Sequence, residues 1–451
     1  MFYRFLKWIA KIALKVFFKK IHFTSLSEIP KNSPLIVVSN HPNTFMDAIL
    51  VASLINREFY FLTNASVFTN SFIKWFLKKL HMIPIYRNQD VKEGNPDNTD
   101  AFKECILHLK NQGALMIFPE GVSESKRQLK KFKTGTARIA LLAEESSNFS
   151  LELIILPIGI NYSEPENFRS NALIITGNPI YVKDFKEVYL SNPQDAVNRL
   201  TDSIYYSVQQ LVIDTQSDYE DELIKNIQTL FVNQYGLSHN SVYGIFTIEK
   251  KIQSAIQYFS VQKPFDWHEL TTELKAYFYT LGKYEFDDYT ISNANSLKKL
   301  YRISLVEFIL LLILLPLFVL GWFTNWVPYT LPKLVATKMT PYKEYHAGIK
   351  LITGLIVFPV WYFLSYLWLG FLFHNEIQTL WIFILFPILG FFSLNFSFKW
   401  QEVQKKLKLV YEFKRNKRKI AELKIQRKNL ISKLLKLQME YQNYQSEMIS
   451  N

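Results

Sequence analysis

A histidine and an aspartate stand six positions apart in Ser39-Asn40-His41-Pro42-Asn43-Thr44-Phe45-Met46-Asp47, directly after the apolar run 35–38. An imidazole titrates near neutral pH, and a carboxylate that holds one ring nitrogen frees the other to take a proton. On one tight bend, such a pair can draw the proton from a hydroxyl at physiological pH. No neighbouring serine or cysteine is evidently placed as a nucleophile, so the hydroxyl to be activated is the substrate's own. The alternative for these residues is a turn whose polar side chains cap the next helix.

A base of this kind needs a rigid frame, and the surrounding pattern supplies one. Apolar runs of β type at 35–38, 59–62, 82–86, 114–118, 153–158 and 172–175 alternate with helical patterns. The helical stretches are 47–55, 71–80, 100–111 and 136–145. This alternation predicts an α/β domain with a largely parallel central sheet. Ligands of such sheets bind beyond the carboxyl ends of the strands. His41, Arg87 and Glu120 each fall just past such an end, so three polar groups converge on one sheet edge.

The 451 residues suffice for two or three units, and the net charge of +13 asks for an acidic partner. Nucleic acid and an anionic membrane surface are the two classes that fit. The lone Cys105 rules out an intramolecular disulfide and a cysteine-built metal cluster. The eight histidines are scattered without ligand spacing, so no metal site is expected. No GxGxxG or Walker sequence occurs.

Three uncharged stretches, 308–332, 351–373 and 377–398, are each as long as the roughly 20 residues a bilayer crossing needs. Trp and Tyr near their ends point the same way. The chain therefore reads as an integral membrane protein, and its basic tail, following a span, reads as lipid-facing with no role for nucleic acid. Only His374-Asn375-Glu376 joins the second and third stretches, which predicts a hairpin. Lysines precede this hairpin and a Lys/Arg cluster follows it, placing both ends, and the catalytic domain, on the cytoplasmic face. The first stretch has basic flanks on both sides: Lys298, Lys299 and Arg302 before it, Lys333 and Lys338 after it. That symmetry predicts a re-entrant or interfacial element bent near Pro316 and Gly321.

At the N-terminus Arg4, Lys7, Lys11 and Lys15 share one helical face, and Phe2, Phe5, Ile9, Ile12, Val16 and Phe17 lie largely on the other. Such a helix lies in the interface on anionic lipid. In the tail, Ile420, Leu423, Leu430, Leu434, Leu437, Tyr441 and Tyr444 follow three-four spacing, with Arg427 interrupting the seam. The seam suits a short coiled coil, which would join two copies, or a helix packed on another domain. The expected organisation is an interfacial helix over 1–22, a catalytic domain over 23–190 and a helical cap or spacer over 191–300. A membrane region over 301–400 and a basic helix over 401–451 complete it.

The order Asn40-His41…Asp47, Ile85-Tyr86-Arg87, Phe118-Pro119-Glu120-Gly121 and Leu156-Pro157-Ile158 resembles the four sequence blocks of the glycerolipid acyltransferases. That family moves a fatty acyl chain from a coenzyme A or carrier-protein thioester to glycerol 3-phosphate or a lysophospholipid. Five residues separate His41 from Asp47 where the commonest family form has four, and the third block continues Val122-Ser123-Glu124 where Thr-Arg-Ser is usual. Both departures resemble the branch of fungal-type glycerol 3-phosphate and dihydroxyacetone phosphate acyltransferases and their bacterial relatives. Leu129, Lys133, Gly135 and Ala137 match that branch too, and so, less specifically, does the run Val327-Pro328-Tyr329…Leu331-Pro332-Lys333.

The resemblance, which covers about residues 35–182, implies an α/β acyltransferase domain; the patterns above add a helical segment, membrane-embedded helices and a C-terminal basic helix after it. It implies His41 as base and Asp47 as its orienting carboxylate, the role of the aspartate in a serine-protease triad. Arg87 would clamp a phosphate dianion with two parallel hydrogen bonds. Glu120 and Gly121 would belong to the acceptor site, with glycine letting the backbone approach the ligand. Lys133 is a second phosphate candidate, while Lys126, Arg127, Lys130 and Lys131 read as a solvated basic face. The donor would be acyl-CoA or acyl carrier protein, and the acceptor glycerol 3-phosphate. No cofactor is needed, because a thioester is already activated. Lysophosphatidic acid or a lyso-aminolipid is the alternative acceptor, and a non-catalytic membrane scaffold the alternative role.

Overall fold

The computed structural model describes residues 1–24, 32–86, 97–236, 241–293, 297–373, 376–415 and 417–450. They divide into two compact units, Met1–Gln216 with Val335–Ile352, and Ser217–Leu334 with Thr353–Asn451.

The first unit is built on one sheet: β1 (Lys20–Thr24), β2 (Leu35–Ser39), β3 (Phe59–Asn64), β4 (Met82–Ile85), β5 (Ala114–Ile117), β6 (Ile154–Tyr162), β7 (Asn171–Thr176) and β8 (Ile180–Tyr181). The spatial order is β1-β7-β6-β2-β5-β3-β4, with β8 paired to β6. β2 lies in the middle, parallel to β5 on one side and to β6 on the other. Its five residues are all buried, as an unbroken Leu-Ile-Val-Val run requires of a strand covered on both faces. Among the described residues only the pairings of β6 with β7 and with β8 are antiparallel, so the sheet is largely parallel. β1 escapes an apolar-run criterion because Lys-Ile-His-Phe-Thr alternates, which suits its place at the sheet edge.

Helices cover both faces. α4 (Thr99–Lys110), α5 (Gly135–Glu145) and α7 (Pro193–Gln210) pack on one, burying Leu109, Ile139 and Leu200 with Ile36 and Leu115. The expected domain boundary at residue 190 falls inside this layer, because α7 completes it. Between α5 and α7 runs the short α6 (Lys186–Ser191), and α3 (Ser71–Lys79) leads into β4. On the other face lie α1 (Phe2–Phe17) and α2 (Thr44–Leu54), which bury Leu14, Phe17, Met46 and Leu50. Ala347 and Leu351, far along the chain, join this second cluster.

α1 turns a different face inward from the one its charges suggest. Arg4 pairs with Glu58, and Lys7 donates to the carbonyls of Ile55 and Arg57 at the end of α2, where a cation complements the helix dipole. Phe5, Trp8 and Ile12 remain exposed, beside the exposed Lys11 and Lys15. Basic and apolar side chains thus share the outer face instead of opposing each other.

The second unit contains α8 (Asp218–Tyr235), α9 (Val242–Gln262), α10 (Pro264–Lys283), α11 (Asp288–Asn293), α14 (Glu376–Arg415) and α15 (Lys417–Ser450). It also holds most of α12 (Leu297–Met339) and α13 (His346–Phe373). Three helices are long and apolar enough to cross a membrane, over Tyr301–Met339, Lys343–Leu372 and Phe383–Glu412. α12 continues through Pro316 and Gly321, so the re-entrant bend expected there does not form; at 1.5 Å per residue it is about 65 Å long. Gly321 has a different reason to be small, since a Cβ on it would stand 2.2 Å from Ser393 Oγ of α14. Asn325 stitches the apolar helices together, donating to the Phe386 carbonyl at 3.0 Å and accepting from the Tyr362 hydroxyl at 2.7 Å.

The seam of α15 is filled within the chain. Ile420, Leu423, Leu430 and Leu434 are buried, and Arg427 reaches Asp288 of α11 at 2.8 Å. The residue that interrupts the heptad pattern is thus the one that locks the helix in place.

Candidate active site

The site begins where β2 ends. Asn40 continues the ladder with its side chain, accepting from the Ile160 N–H at 2.8 Å and donating to the Ile160 carbonyl at 3.0 Å. The next residues are thereby swung across the carboxyl edge of the sheet. α2 starts at Thr44, which brings Asp47 into its first turn, where a negative charge is favoured, and buries it completely.

Asp47 Oδ2 lies 2.9 Å from His41 Nδ1 and accepts from the Asn43 N–H at 2.7 Å. Its Oδ1 accepts from the Tyr162 hydroxyl at 2.8 Å. An ionised carboxylate only accepts, so His41 must carry its proton on Nδ1 and present the Nε2 lone pair. The imidazole stacks on Phe118, with centroids 4.0 Å apart and planes 14° from parallel. It remains 19% exposed at its side chain, against 0% for Asp47, so a substrate hydroxyl can reach it.

Glu120 braces the site from below. Its Oε1 accepts from the His41 N–H at 2.8 Å and its Oε2 from the Lys130 N–H at 3.2 Å, tying the loop after β5 to the turn after β2. Burial pushes its carboxyl up to about 7 against these two hydrogen bonds, which act the other way. Gly121 adopts φ +70°, and a Cβ there would lie 2.6 Å from Lys133 Nζ, which covers it. Of the predicted residues, His41 and Asp47 thus come together with Glu120, and Gly121 with Lys133, on adjacent loops of one edge. Arg87 lies outside the described residues.

The Glu120 geometry carries a stability prediction. An unfolded carboxyl releases its proton near 4.5, whereas the folded one holds it to about 7. Between those values the folded state binds the extra proton, so stability falls as pH rises through the window, by about 3 kcal/mol in all. The melting midpoint should drop between about pH 5 and about pH 8 in the wild type and drop less in Glu120→Gln. Equal slopes in the two proteins would remove the buried-carboxyl argument.

Several contributors carry no motif. Tyr162 stacks on Phe18 with centroids 5.7 Å apart, which fixes its ring while its hydroxyl serves Asp47. Ser123 Oγ accepts from the Thr44 N–H at 2.9 Å, and Ser125 donates to the Pro42 carbonyl at 3.2 Å. Asp214 receives the Leu129 N–H at 2.8 Å, while Thr215 donates to the Arg127 carbonyl through both N–H and hydroxyl. The segment after α7 therefore straps down the basic loop. The unusual Val122-Ser123-Glu124 is the one sequence signal among them, since its serine is the residue that meets Thr44.

A mostly parallel sheet thus carries a histidine–aspartate pair at its carboxyl edge, an arrangement able to draw a proton from an incoming hydroxyl. Residues 20–161 match the acyltransferase family model. The chain is 27% identical over 202 residues to glycerol-3-phosphate O-acyltransferase 1 of Saccharomyces cerevisiae, a match covering 44% of this chain and 26% of the yeast protein. It is 26% identical over 208 residues to the 1-acyl-sn-glycerol-3-phosphate acyltransferase of Streptococcus pneumoniae, covering 44% of this chain and 70% of that protein. The solved 1-acyl-sn-glycerophosphate acyltransferase of Thermotoga maritima aligns with 19% identity and a TM-score of 0.35, covering 46% of this chain and 79% of that one. Residues 20–161 thus form a domain that matches the acyltransferase family, in a chain that spans about a quarter of the length of the yeast protein it resembles.

Proposed function

We propose that this protein is a membrane-bound glycerol-3-phosphate O-acyltransferase acting in phospholipid synthesis. The contact of His41 Nδ1 with Asp47 at 2.9 Å carries the reading. His41 Nε2 takes the proton of a glycerol hydroxyl while that oxygen attacks the thioester carbonyl carbon. The tetrahedral adduct then collapses, the carbon–sulfur bond breaks, and the departing thiolate recovers the proton from the imidazolium. Asp47 stabilises that imidazolium and holds its orientation. Lys133 and Arg87 supply positive charge for the phosphate, and Glu120 with Gly121 shapes the loop that receives it. The donor is an acyl thioester of coenzyme A or of acyl carrier protein, and no cofactor takes part.

Glycerol 3-phosphate is favoured as acceptor by the five-residue spacing between His41 and Asp47, by Val122-Ser123-Glu124, and by the likeness to the yeast protein. The likeness to the streptococcal protein, of which 70% is covered, supports a second reading with lysophosphatidic acid as acceptor. Measuring kcat/KM for both acceptors with one labelled donor decides between them; a preference for lysophosphatidic acid overturns the first. The basic flanks of the apolar helices support a catalytic domain facing the cytoplasm, on a bilayer containing anionic lipid.

Tyr162→Phe tests the carboxylate's surroundings. The ring and its stack on Phe18 stay, and only the hydroxyl that serves Asp47 is lost. A hydrogen bond to a buried charged group is worth about 1.5–3 kcal/mol, so a fall in kcat/KM of about 10-fold, with a small drop in the melting midpoint, is the expected result. An unaltered kcat/KM means that Tyr162 only packs.

A further inference from the structure

The loop joining the first two bilayer-length helices reaches the catalytic turn. Thr44 Oγ1 donates to the Glu344 carbonyl at 2.9 Å. The Phe45 ring meets Tyr345 edge-on at 6.2 Å, and a Cβ on Gly348 would come within 3.3 Å of Phe45 Cβ. A second set of contacts holds the other side of the turn. Lys350 Nζ donates to the Glu166 carbonyl at 2.8 Å, and the Glu166 carboxylate faces Lys343 at 3.4 Å and His346 at 3.7 Å. The neighbouring Pro165 carbonyl accepts from Asn43 Nδ2 at 2.6 Å. This loop lies outside the span 20–161 that the family model matches.

The contacts fall on residues that set the dyad. Thr44 has φ +34°, a conformation that persists in a β-branched residue only when its surroundings impose it. Here Ser123 takes its N–H and the loop takes its hydroxyl. Asn43, one residue earlier, gives its own N–H to Asp47 Oδ2, the oxygen that holds His41. A shift of residues 43–45 therefore moves the carboxylate and the imidazole together.

We propose that residues 340–350, the loop after α12 together with the first turn of α13, form a positioning wall of the active site, which fixes the histidine-bearing turn, and that this wall lies on the catalytic side of the membrane. Between Gln216 and the start of α12, no described helix is apolar enough to cross a bilayer. The basic residues on the flank of α12 that precedes this loop, Lys333 and Lys338, are the charge pattern expected of that side. The dyad is thereby assembled at the bilayer surface, where acyl chains are found.

The side of the membrane can be read without any activity. Cys105, the sole cysteine, is fully buried, and its thiol is pushed up to about 12 by that burial, whereas Tyr342 is 64% exposed. Tyr342→Cys in the full chain, sealed into vesicles of mixed anionic phospholipid, gives one thiol for a membrane-impermeant maleimide. Labelling is expected only where protease shows the catalytic domain facing the reagent. Labelling confined to the opposite population overturns the proposal.

The positioning role is read kinetically, in Gly348→Val and Lys350→Met. A turn displaced by a fraction of an ångström should lower kcat by about 10- to 100-fold, with KM for glycerol 3-phosphate and the melting midpoint nearly unchanged. Unchanged kcat in Lys350→Met overturns this role even where Gly348→Val fails to fold. This arm rests on the histidine–aspartate reading, which has its own control: an active His41→Ala sinks that reading and leaves the labelling result standing.

Discussion

Turnover by His41→Ala is expected to fall by about 10²–10⁴-fold, the usual loss when a general base is removed. Asp47→Asn should lose a comparable factor for a different reason. Asp47 accepts from His41, Asn43 and Tyr162, and an amide offers one accepting oxygen where the carboxylate offers two. The imidazole then loses its fixed tautomer along with the charge that stabilises its protonated form. Because the two side chains act as one unit, the double variant should be no slower than the worse single variant. Steady-state kinetics on the three variants, each checked for an unchanged melting midpoint, decides the matter. Losses that multiply would falsify the coupling.

Arg427→Leu should destabilise the second unit by about 3–5 kcal/mol, the range for a buried ion pair stripped of one partner. The guanidinium bonds Asp288 through Nε at 2.8 Å and Nη2 at 3.2 Å, and reaches Gln234 at 2.9 Å. Asp288 is fully buried at its side chain and among the described residues keeps Tyr277 and Asn233 once the arginine is gone. For a unit of this size the melting midpoint should fall by about 10 °C, with α15 cut early by protease. Pairing Arg427→Leu with Asp288→Leu should recover much of the loss, because the uncompensated charge disappears. A single variant as stable as wild type means that the tail is not held by this pair.

The frame of the site was legible because buried parallel strands are continuous apolar runs: β2, β5 and β7 announce themselves, and the polar groups after β2 and β5 follow from them. What stayed hidden depends on distance along the chain. Tyr162 meets Asp47 across 115 positions and Glu344 meets Thr44 across 300, and no local pattern records such contacts. Glu120 was visible as a carboxylate at a strand end, but its two backbone partners could not be read, and they make it a brace. Arg427 looked like a flaw in a helical seam, since periodicity registers a charge as an interruption whatever lies opposite. α12 shows the limit of composition: its proline and glycine suggested a bend, whereas packing against Ser393 and Leu389 accounts for Gly321 within a continuous helix.

We propose that His41, held by Asp47, activates the hydroxyl of glycerol 3-phosphate against an acyl thioester. The most direct measurement is single-turnover transfer of a labelled acyl chain by the full-length protein in phospholipid vesicles, with glycerol 3-phosphate as acceptor and acyl-CoA or acyl carrier protein as donor. Labelled lysophosphatidic acid from the wild type, and none above background from His41→Ala, is the predicted result. No product with either donor, or equal product from His41→Ala, contradicts it.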